Sequence, residues 1–127
     1  GCTIEGEIIP TLIDEIPIIA ILAAFAQGTT TIRNAEELKV KESNRLDIVV
    51  HHLRAMGADI TGTDDGMVIR GGRPLHGAVL DSFLDHRIAM SFAIASLMTE
   101  GTLTIEHADC VNISYPAFYQ DLLRLSE

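Results

Sequence analysis

The sequence has few of the residues that characterise extracellular, metal-binding or nucleic-acid-binding proteins. It has no tryptophan and only two cysteines, Cys2 and Cys110, which lack paired spacing. Its five histidines form no H-E-x-x-H or Cys/His ligand pattern. Nine lysines and arginines stand against eighteen aspartates and glutamates, and the net charge of −9 disfavours binding to nucleic acid or to an anionic membrane. These absences predict a reduced, metal-free, cytoplasmic protein, in which an anionic ligand depends on a few local cations.

Targeting and membrane-spanning segments are also absent from the sequence pattern. No basic stretch followed by an apolar stretch opens the chain, and no apolar run reaches the roughly 18 residues that cross a bilayer. We therefore expect neither secretion nor membrane insertion. The chain opens without Met and inside a predicted strand, so we expect a piece of a longer protein. Its 127 residues, 47% of them hydrophobic, suffice for a buried core.

An internal repeat relates two parts of the chain at an offset of 73 residues. Residues 28–36 (GTTTIRNAE) return with small changes as residues 101–109 (GTLTIEHAD). Extended backward without gaps, the repeat places Asp14 opposite Arg87, each at the start of an apolar segment. An acid and a base at equivalent helix starts predict a functional site there.

Periodicity predicts a unit of strand, helix, strand, helix, strand, strand, with helices inside and sheet outside. The apolar segments 16–26 and 88–98 have helix length and predict helices buried on all sides. Asp14 and Asp85 are predicted N-caps of these two helices, and Pro17 fits the first turn. The remaining predicted elements are strands at 29–33, 75–81 and 102–106, helices at 43–56 and 116–125, and a hairpin over 58–61 and 67–70.

Two charged clusters are candidates for chemistry. Lys41-Glu42-Ser43-Asn44-Arg45 begins a helix, where cations and free N–H groups attract phosphate or carboxylate. The alternative is a solvated first turn with an ion pair between Glu42 and Arg45. In Asp85-His86-Arg87, the arginine can bind an anion at the helix start. The alternative there is that Asp85 caps the helix and pairs with Arg87 while His86 packs.

Asp14 and Glu15 offer carboxylates at the start of the first apolar helix. The helix dipole keeps a carboxylate ionised there, suited to accept a proton from a substrate hydroxyl. Simple N-capping explains Asp14 equally well. The default positions for His51, His52, His76 and His107 are helix surface or loop.

Four motifs, in order, resemble the 5-enolpyruvylshikimate-3-phosphate synthase family, over essentially the whole chain. The family resemblance implies an α/β fold forming part of an inside-out α/β barrel, built from βαβαββ repeats with buried helices and outer sheets. It further implies that residues 1–127 are a partial C-terminal domain holding about two of its three repeat units, approximately 1–74 and 75–127. The motifs are Leu12-Ile13-Asp14-Glu15-Ile16-Pro17, Val40-Lys41-Glu42-Ser43-Asn44-Arg45-Leu46, Asp85-His86-Arg87-Ile88-Ala89-Met90 and Ser114-Tyr115-Pro116.

The resemblance implies transfer of the enolpyruvyl group of phosphoenolpyruvate to the 5-hydroxyl of shikimate 3-phosphate, with release of phosphate and without metal or organic cofactor. By motif, Asp14 matches the carboxylate at the shikimate hydroxyls and Glu42 the acid that exchanges a proton with the methylene carbon. Lys41 matches a lysine that contacts the shikimate phosphate ester. Arg45 and Arg87 match the guanidiniums that clamp phosphoenolpyruvate, with Asp85 and His86 as supporting residues.

Two positions depart from the pattern of some family members. Ile113 stands where some carry a lysine, and Glu37 where some carry an asparagine. Both changes resemble the bacterial subgroup that is less sensitive to glyphosate.

Two other functions stay open: the related transferase acting on UDP-N-acetylglucosamine, and a non-catalytic anion-binding half domain. Since the resemblance implies a site between two domains, we expect no turnover from this chain without its N-terminal partner domain. Its uncovered apolar surface predicts self-association.

Overall fold

Short strands alternate with helices in the part of the chain that the computed structural model describes, which is residues 2–41, 43–99 and 101–107. The α-helices there are α1 Ile9–Leu12, α2 Ile16–Phe25, α3 Arg45–Ala55 and α4 His86–Ala95. The strands are β1 Thr3–Ile4, β2 Thr29–Ile32, β3 Asp59–Gly62, β4 Met67–Arg70, β5 Val79–Asp81 and β6 Thr104–Glu106. The helix predicted at 116–125, together with Cys110, Ile113 and the Ser114-Tyr115-Pro116 motif, lies outside the described residues.

Two strand-helix-strand units carry the internal repeat. β1 and β2 are parallel and are joined through α2, while β5 and β6 are parallel and are joined through α4. Parallel neighbours need such a crossover connection. β4 and β3 complete the first sheet in the order β1-β2-β4-β3, with β4 antiparallel to both β2 and β3, so the predicted hairpin is confirmed.

The first sheet lies outside the helices, because its strands bury alternate residues. Ile32, Ile60 and Ile69 are buried in the core cluster together with residues of α2 and α3. Thr29, Thr61 and Arg70, on the opposite face, are exposed. The period of two along each strand thus packs one face of this sheet against the helices and leaves the other face exposed.

The helix boundaries confirm most of the predicted local signals. Pro17 lies in the first turn of α2. Asp85 caps α4, its Oδ1 accepting from the backbone N–H groups of Arg87 at 2.9 Å and Ile88 at 3.4 Å. Asn44 caps α3 by accepting from the N–H of Asp47 at 3.2 Å, and Gly57 follows this helix with a φ of 98° that favours glycine.

The prediction that Asp14 caps α2 is wrong. An N-cap residue has extended backbone, which lets its side chain fold back onto the first N–H groups. Here a 3-10 turn, Ile13–Glu15, runs from α1 directly into α2, and the residue before α2, Glu15, keeps helical backbone with no side-chain cap. The Asp14 carboxylate is therefore available for other partners.

The prediction that both apolar helices are buried on all sides is also wrong. Leu22 of α2 is 51% exposed, and Leu97 and Met98 beyond α4 are exposed as well. Six residues of α2 are buried, among them Ile16 and Ile21, and Ile18, Ile19 and Phe25 are partly buried against the core, so only the position of Leu22 is exposed within this helix. A helix that is hydrophobic on all sides can be buried completely, but it is buried only where neighbouring elements pack against it.

One described segment, Gly6–Phe25, has the length and hydropathy of a membrane span. It consists of 3-10 turns, α1 and α2, and it carries Asp14 and Glu15 near its middle. Ile9, Ile13, Ile16 and Ile21 from this segment lie in the core. The segment therefore does not indicate a membrane protein.

Candidate active site

A buried ion pair joins the start of α3 to the start of α4. The guanidinium of Arg45 donates from Nε to Asp85 Oδ2 at 2.7 Å and from Nη2 to Asp85 Oδ1 at 3.1 Å. The Arg45 side chain is 2% exposed and that of Asp85 is 0% exposed. This two-bond fork fixes the guanidinium in the plane of the carboxylate. The alternative of a solvated first turn is therefore wrong for Arg45.

Asp85 accepts hydrogen bonds from other groups besides Arg45. Its Oδ2 also accepts from the hydroxyl of Ser43 at 2.7 Å, and its Oδ1 caps α4. Burial by itself raises the pKa of Asp85. The hydrogen bonds from Arg45 and Ser43, the positive charge of Arg45 and the backbone N–H of Arg87 outweigh burial and hold that pKa below its ordinary value. The carboxylate is therefore ionised at neutral pH.

Asp14 lies on the solvent side of this pair. Its Oδ1 accepts from Arg45 Nη1 at 3.2 Å and lies 3.6 Å from the Nζ of Lys41. Lys41 also pairs with Glu37 at 3.7 Å. The Asp14 side chain is 43% exposed, so it contacts both cations and still faces solvent. The 3-10 turn before α2, the loop before α3 and the first residue of α3 thus place one carboxylate and two cations together.

Asp14 and Arg87 line one cleft between α2 and α4. The cleft has a volume of about 200 Å³. Arg87 Nη1 lies 3.4 Å from Glu15 Oε1, and both side chains are partly exposed. The acid and the base that the repeat places at equivalent helix starts therefore line the same cleft. The cleft is lined by Asp14, Glu15, Ile18, Arg87, Met90, Ser91 and Ile94.

The alternative in which Arg87 pairs with Asp85 is wrong for the side chain. From Arg87, the Asp85 carboxylate accepts the backbone N–H and not the side chain. The guanidinium of Arg45 occupies both carboxylate oxygens. The Arg87 side chain turns toward Glu15 instead. His86 is the half-buried first residue of α4, and Glu42 lies outside the described residues.

His52 is buried, so its predicted position on the helix surface is wrong. Its Nε2 lies 2.7 Å from the carbonyl oxygen of Asp81. Because a carbonyl only accepts, Nε2 carries the proton, and the buried Nδ1 has no partner among the described residues. Burial is the main cause that lowers the pKa of His52. The ring packs edge-on against Phe92 and is neutral at pH 7.

Other surfaces offer less organised chemistry. A larger hollow of about 440 Å³ lies beside α3 and the β3-β4 hairpin, lined by groups of both signs such as Lys39, Asp47, Arg54 and Asp64. None of the motif residues discussed above lines it. Within the described ranges, no three His, Cys, Asp or Glu side chains are grouped as a metal site requires.

The sequence contained the residues of the site but not all of their contacts. Ser43 lies inside a recognised motif, and Glu15 lies next to Asp14, but neither had an assigned partner. Their partners, Asp85 and Arg87, are 42 and 72 residues away along the chain. The signal that could have found Ser43 is a hydroxyl beside two charged residues at a helix start, which is too common to be specific.

Known proteins that closely match this sequence carry the same enzyme name. A sequence model described as EPSP synthase (3-phosphoshikimate 1-carboxyvinyltransferase) matches residues 1–122. The chain is 56% identical over 125 residues to the 3-phosphoshikimate 1-carboxyvinyltransferase of Synechococcus sp. (strain JA-3-3Ab), covering 98% of this chain and 28% of the relative. It is 59% identical over 122 residues to the enzyme of the same name from Oceanobacillus iheyensis, covering 96% of this chain and 28% of that relative.

Solved structures agree with these matches. EPSP synthase from Acinetobacter baumannii superposes with a TM-score of 0.86 at 42% identity, covering 93% of this chain and 28% of that chain. The enolpyruvyl transferase NikO from Streptomyces tendae superposes with a TM-score of 0.71 at 28% identity, covering 88% of this chain and 24% of that chain. The present chain therefore spans a little over a quarter of the length of the curated relatives it matches.

Proposed function

The chain belongs to the EPSP synthase family, and from that premise we propose that it supplies part of the active site of a 3-phosphoshikimate 1-carboxyvinyltransferase. The proposed reaction moves the enolpyruvyl group of phosphoenolpyruvate to the 5-hydroxyl of shikimate 3-phosphate and releases phosphate. The active protein in this proposal is a longer, cytoplasmic chain that uses neither metal nor organic cofactor. The observation that carries the proposal is the contact of Asp14 with Lys41 and Arg45 beside the cleft that holds Arg87.

Asp14 is the proposed acceptor of the proton from the substrate hydroxyl. A general base must be within reach of the substrate and held in place. Lys41 and Arg45 both lie within 4 Å of the Asp14 carboxylate and hold it, and its partial exposure leaves it accessible. Asp14 therefore meets these requirements more closely than Asp85, whose carboxylate is fully buried.

The side chains of Arg45 and Arg87 differ in how firmly the protein holds them. Arg45 is held by two bonds to Asp85 and is buried, so it is organised before a substrate carboxylate arrives. Among the described residues Arg87 is paired with Glu15 at 3.4 Å, and because both side chains are partly exposed this pair contributes little. In the proposal Arg87 leaves Glu15 to bind phosphoenolpyruvate, and Lys41 binds the phosphate ester of shikimate 3-phosphate.

Two proposed roles rest on the family motif. Glu42 exchanges the proton at the methylene carbon of phosphoenolpyruvate. His86, at the start of α4 beside Arg87, supports the binding of that substrate.

The described cluster has an excess of negative charge. Three cations, Lys41, Arg45 and Arg87, stand against four carboxylates, those of Asp14, Glu15, Glu37 and Asp85. Both substrates are anions, and such a cluster on a chain of net charge −9 gives them no net attraction. The proposal therefore places further cations on the remainder of the longer chain, and the isolated 127-residue chain is inactive.

The proposed architecture is the inside-out α/β barrel of the family. In it, residues 1–127 are part of a C-terminal domain, divided near residue 74 into about two of three repeat units. The exposed apolar residues on α2 and after α4, Leu22, Leu97 and Met98, contact the missing part of that protein. Exposed apolar surface of this kind makes the isolated chain self-associate.

Phosphate release tests the proposed function. A full-length protein carrying this sequence is expected to release inorganic phosphate only when phosphoenolpyruvate and shikimate 3-phosphate are both present. The isolated 127-residue chain and an Arg87→Ala variant of the full-length protein serve as controls and are expected to show little or no release. Release with UDP-N-acetylglucosamine in place of shikimate 3-phosphate would support the related transferase instead, and binding without turnover would support an anion-binding protein. The same assay with added glyphosate tests the low sensitivity that the departures at Glu37 and Ile113 suggest.

A further inference from the structure

Both oxygens of the Asp85 carboxylate accept hydrogen bonds from protein groups other than Arg45. Oδ1 is held by the N–H groups at the start of α4, and Oδ2 is held by the hydroxyl of Ser43 at 2.7 Å. The carboxylate is fully buried, so bulk water does not reach Oδ2. Ser43 is therefore the group outside Arg45 that holds this oxygen in the described structure.

The orientation of Arg45 follows from the orientation of Asp85. The terminal torsion of an aspartate is broad, so a carboxylate held at one oxygen can rotate about its own axis. The two bonds from Nε and Nη2 of Arg45 require the guanidinium and the carboxylate to share one plane. A donor that fixes the carboxylate plane therefore also sets the direction of Arg45 Nη1, which points to Asp14 at 3.2 Å.

We propose that Ser43 is a positioning residue, which acts through Asp85 to orient the Arg45 guanidinium toward the carboxylate of phosphoenolpyruvate. The assignment of that ligand rests on the proposed function. The Ser43 hydroxyl reaches the Arg45 guanidinium through Asp85. The Ser43 carbonyl oxygen also accepts from the backbone N–H of Arg45 at 2.9 Å, a bond that loss of the hydroxyl leaves in place. Lys41 and Asp14 represent the shikimate side of the site. Loss of its hydroxyl is therefore expected to affect one substrate more than the other.

Steady-state kinetics of full-length variants carry the first part of the test. Ser43→Ala is expected to raise the KM for phosphoenolpyruvate about tenfold, because small misplacements of a binding group have large effects. The KM for shikimate 3-phosphate is expected to stay within about threefold of the wild type. The fall in kcat is expected to be smaller than the rise in the KM for phosphoenolpyruvate, and it arises because Arg45 Nη1 also contacts Asp14. Ser43→Thr keeps a hydroxyl and restores the lower KM. Ser96→Ala, at the far end of α4, is the matched control and leaves all three constants unchanged.

The second part of the test does not depend on turnover. In nitrogen-15 spectra of the same full-length proteins, the Arg45 Nε–H is expected to exchange slowly with water in the wild type and in Ser43→Thr. Ser43→Ala is expected to speed that exchange at least tenfold and to move the resonance, because Oδ2 is no longer held in place.

The two readouts separate the failure of the inference from the failure of the proposed function. A KM for phosphoenolpyruvate that does not rise in Ser43→Ala, or a rise shared equally by both substrates, overturns the positioning role. If the wild type has no transferase activity, the proposed function fails. In that case a changed Arg45 Nε–H signal still supports positioning of the arginine by Ser43, and an unchanged signal overturns it.

Discussion

Replacing Asp85 by Asn is expected to be among the most damaging single substitutions in this chain. The amide keeps the shape of the side chain and an oxygen that can cap α4, because Asn is as good an N-cap as Asp. It removes the charge that faces Arg45 in a site where both side chains are almost inaccessible to solvent. The substitution therefore measures the effect of losing the ion pair while the N-cap of α4 is kept.

The expected loss is about 3 kcal/mol of unfolding free energy. Removing one partner of a buried pair costs roughly 3 to 5 kcal/mol, because the other charge stays buried without compensation. Asp14 remains beside Arg45 Nη1 and offsets part of this cost, but it is 43% exposed and its charge is screened. We therefore expect a value at the lower end of the range. Asp85→Ala should cost about 1 kcal/mol more, since it also removes the cap.

Native-state hydrogen exchange is the suitable assay, because it reports the unfolding free energy at individual residues. In the full-length protein, the amides of Val49 and Leu53 in α3 and of Ala89 and Phe92 in α4 are expected to exchange about a hundredfold faster in Asp85→Asn, since each factor of ten corresponds to about 1.4 kcal/mol. Amides of the β3-β4 hairpin, which do not contact the pair, provide the internal comparison for this local loss.

The pH dependence gives a second check on the same variant. The folded-state pKa of Asp85 is lowered from 3.8, so its contribution to stability is complete above that value and is lost as the pH falls through the folded pKa. This part of the acid-side loss should be missing in Asp85→Asn.

A double variant provides the decisive comparison. Asp85→Asn combined with Arg45→Met removes both charges and should cost at least about 2 kcal/mol less than the sum of the two single variants. Additive costs, or a loss below about 1 kcal/mol for Asp85→Asn alone, would refute the reasoning that this pair holds the two helix starts together.

Four further substitutions test other parts of the structure. Asp14→Asn should lower kcat of the full-length protein about a hundredfold or more. The unfolding free energy should change by about 1 kcal/mol or less, because the carboxylate is partly exposed, and a fall in kcat explained by unfolding of the variant would contradict the proposed role. For His52, the wild type should lose stability as the pH falls below 6.5, because the unfolded chain binds a proton that the buried ring disfavours, and His52→Gln should flatten this slope in urea titrations. Gly66→Ala should cost more than about 2 kcal/mol, since its Cβ would meet the Ile32 carbonyl oxygen at 1.8 Å, whereas Gly62→Ala, with its nearest neighbour at 3.5 Å, is the mild control in the same hairpin. Leu84→Gly should raise stability by about 0.5 to 1 kcal/mol in thermal melts, because exposed Leu84 has a φ of 60°; no gain would argue against strain there.

Local signals determined most of the secondary structure. The spacing of Leu46, Val49, Val50 and Leu53 predicted a helix with one buried face, and all four residues are buried. Asp85 as N-cap and the Asp-Gly hairpin were predicted because each depends on residues a few positions apart. The internal repeat reaches further along the chain, since it places Asp14 and Arg87 at equivalent helix starts.

The partners of the charged groups were decided by tertiary structure. Arg45 pairs with Asp14 and with Asp85, which are 31 and 40 residues away, and Arg87 pairs with Glu15 at a separation of 72. Sequence spacing favoured near neighbours for each of these groups. Such preferences are weak for exposed ion pairs, and a carboxylate that burial isolates from water takes whichever cation the packed helices bring to it.

Sequence patterns alone therefore identified the repeat, the family and most of the described helices and strands. The packing of α2, α3 and α4 decided which of these residues touch. Packing buried Arg45 and His52, and it brought Ser43 into contact with Asp85. The physical reason is that periodicity and capping act over a few residues, whereas burial and charge pairing depend on surfaces that meet only when distant segments fold together.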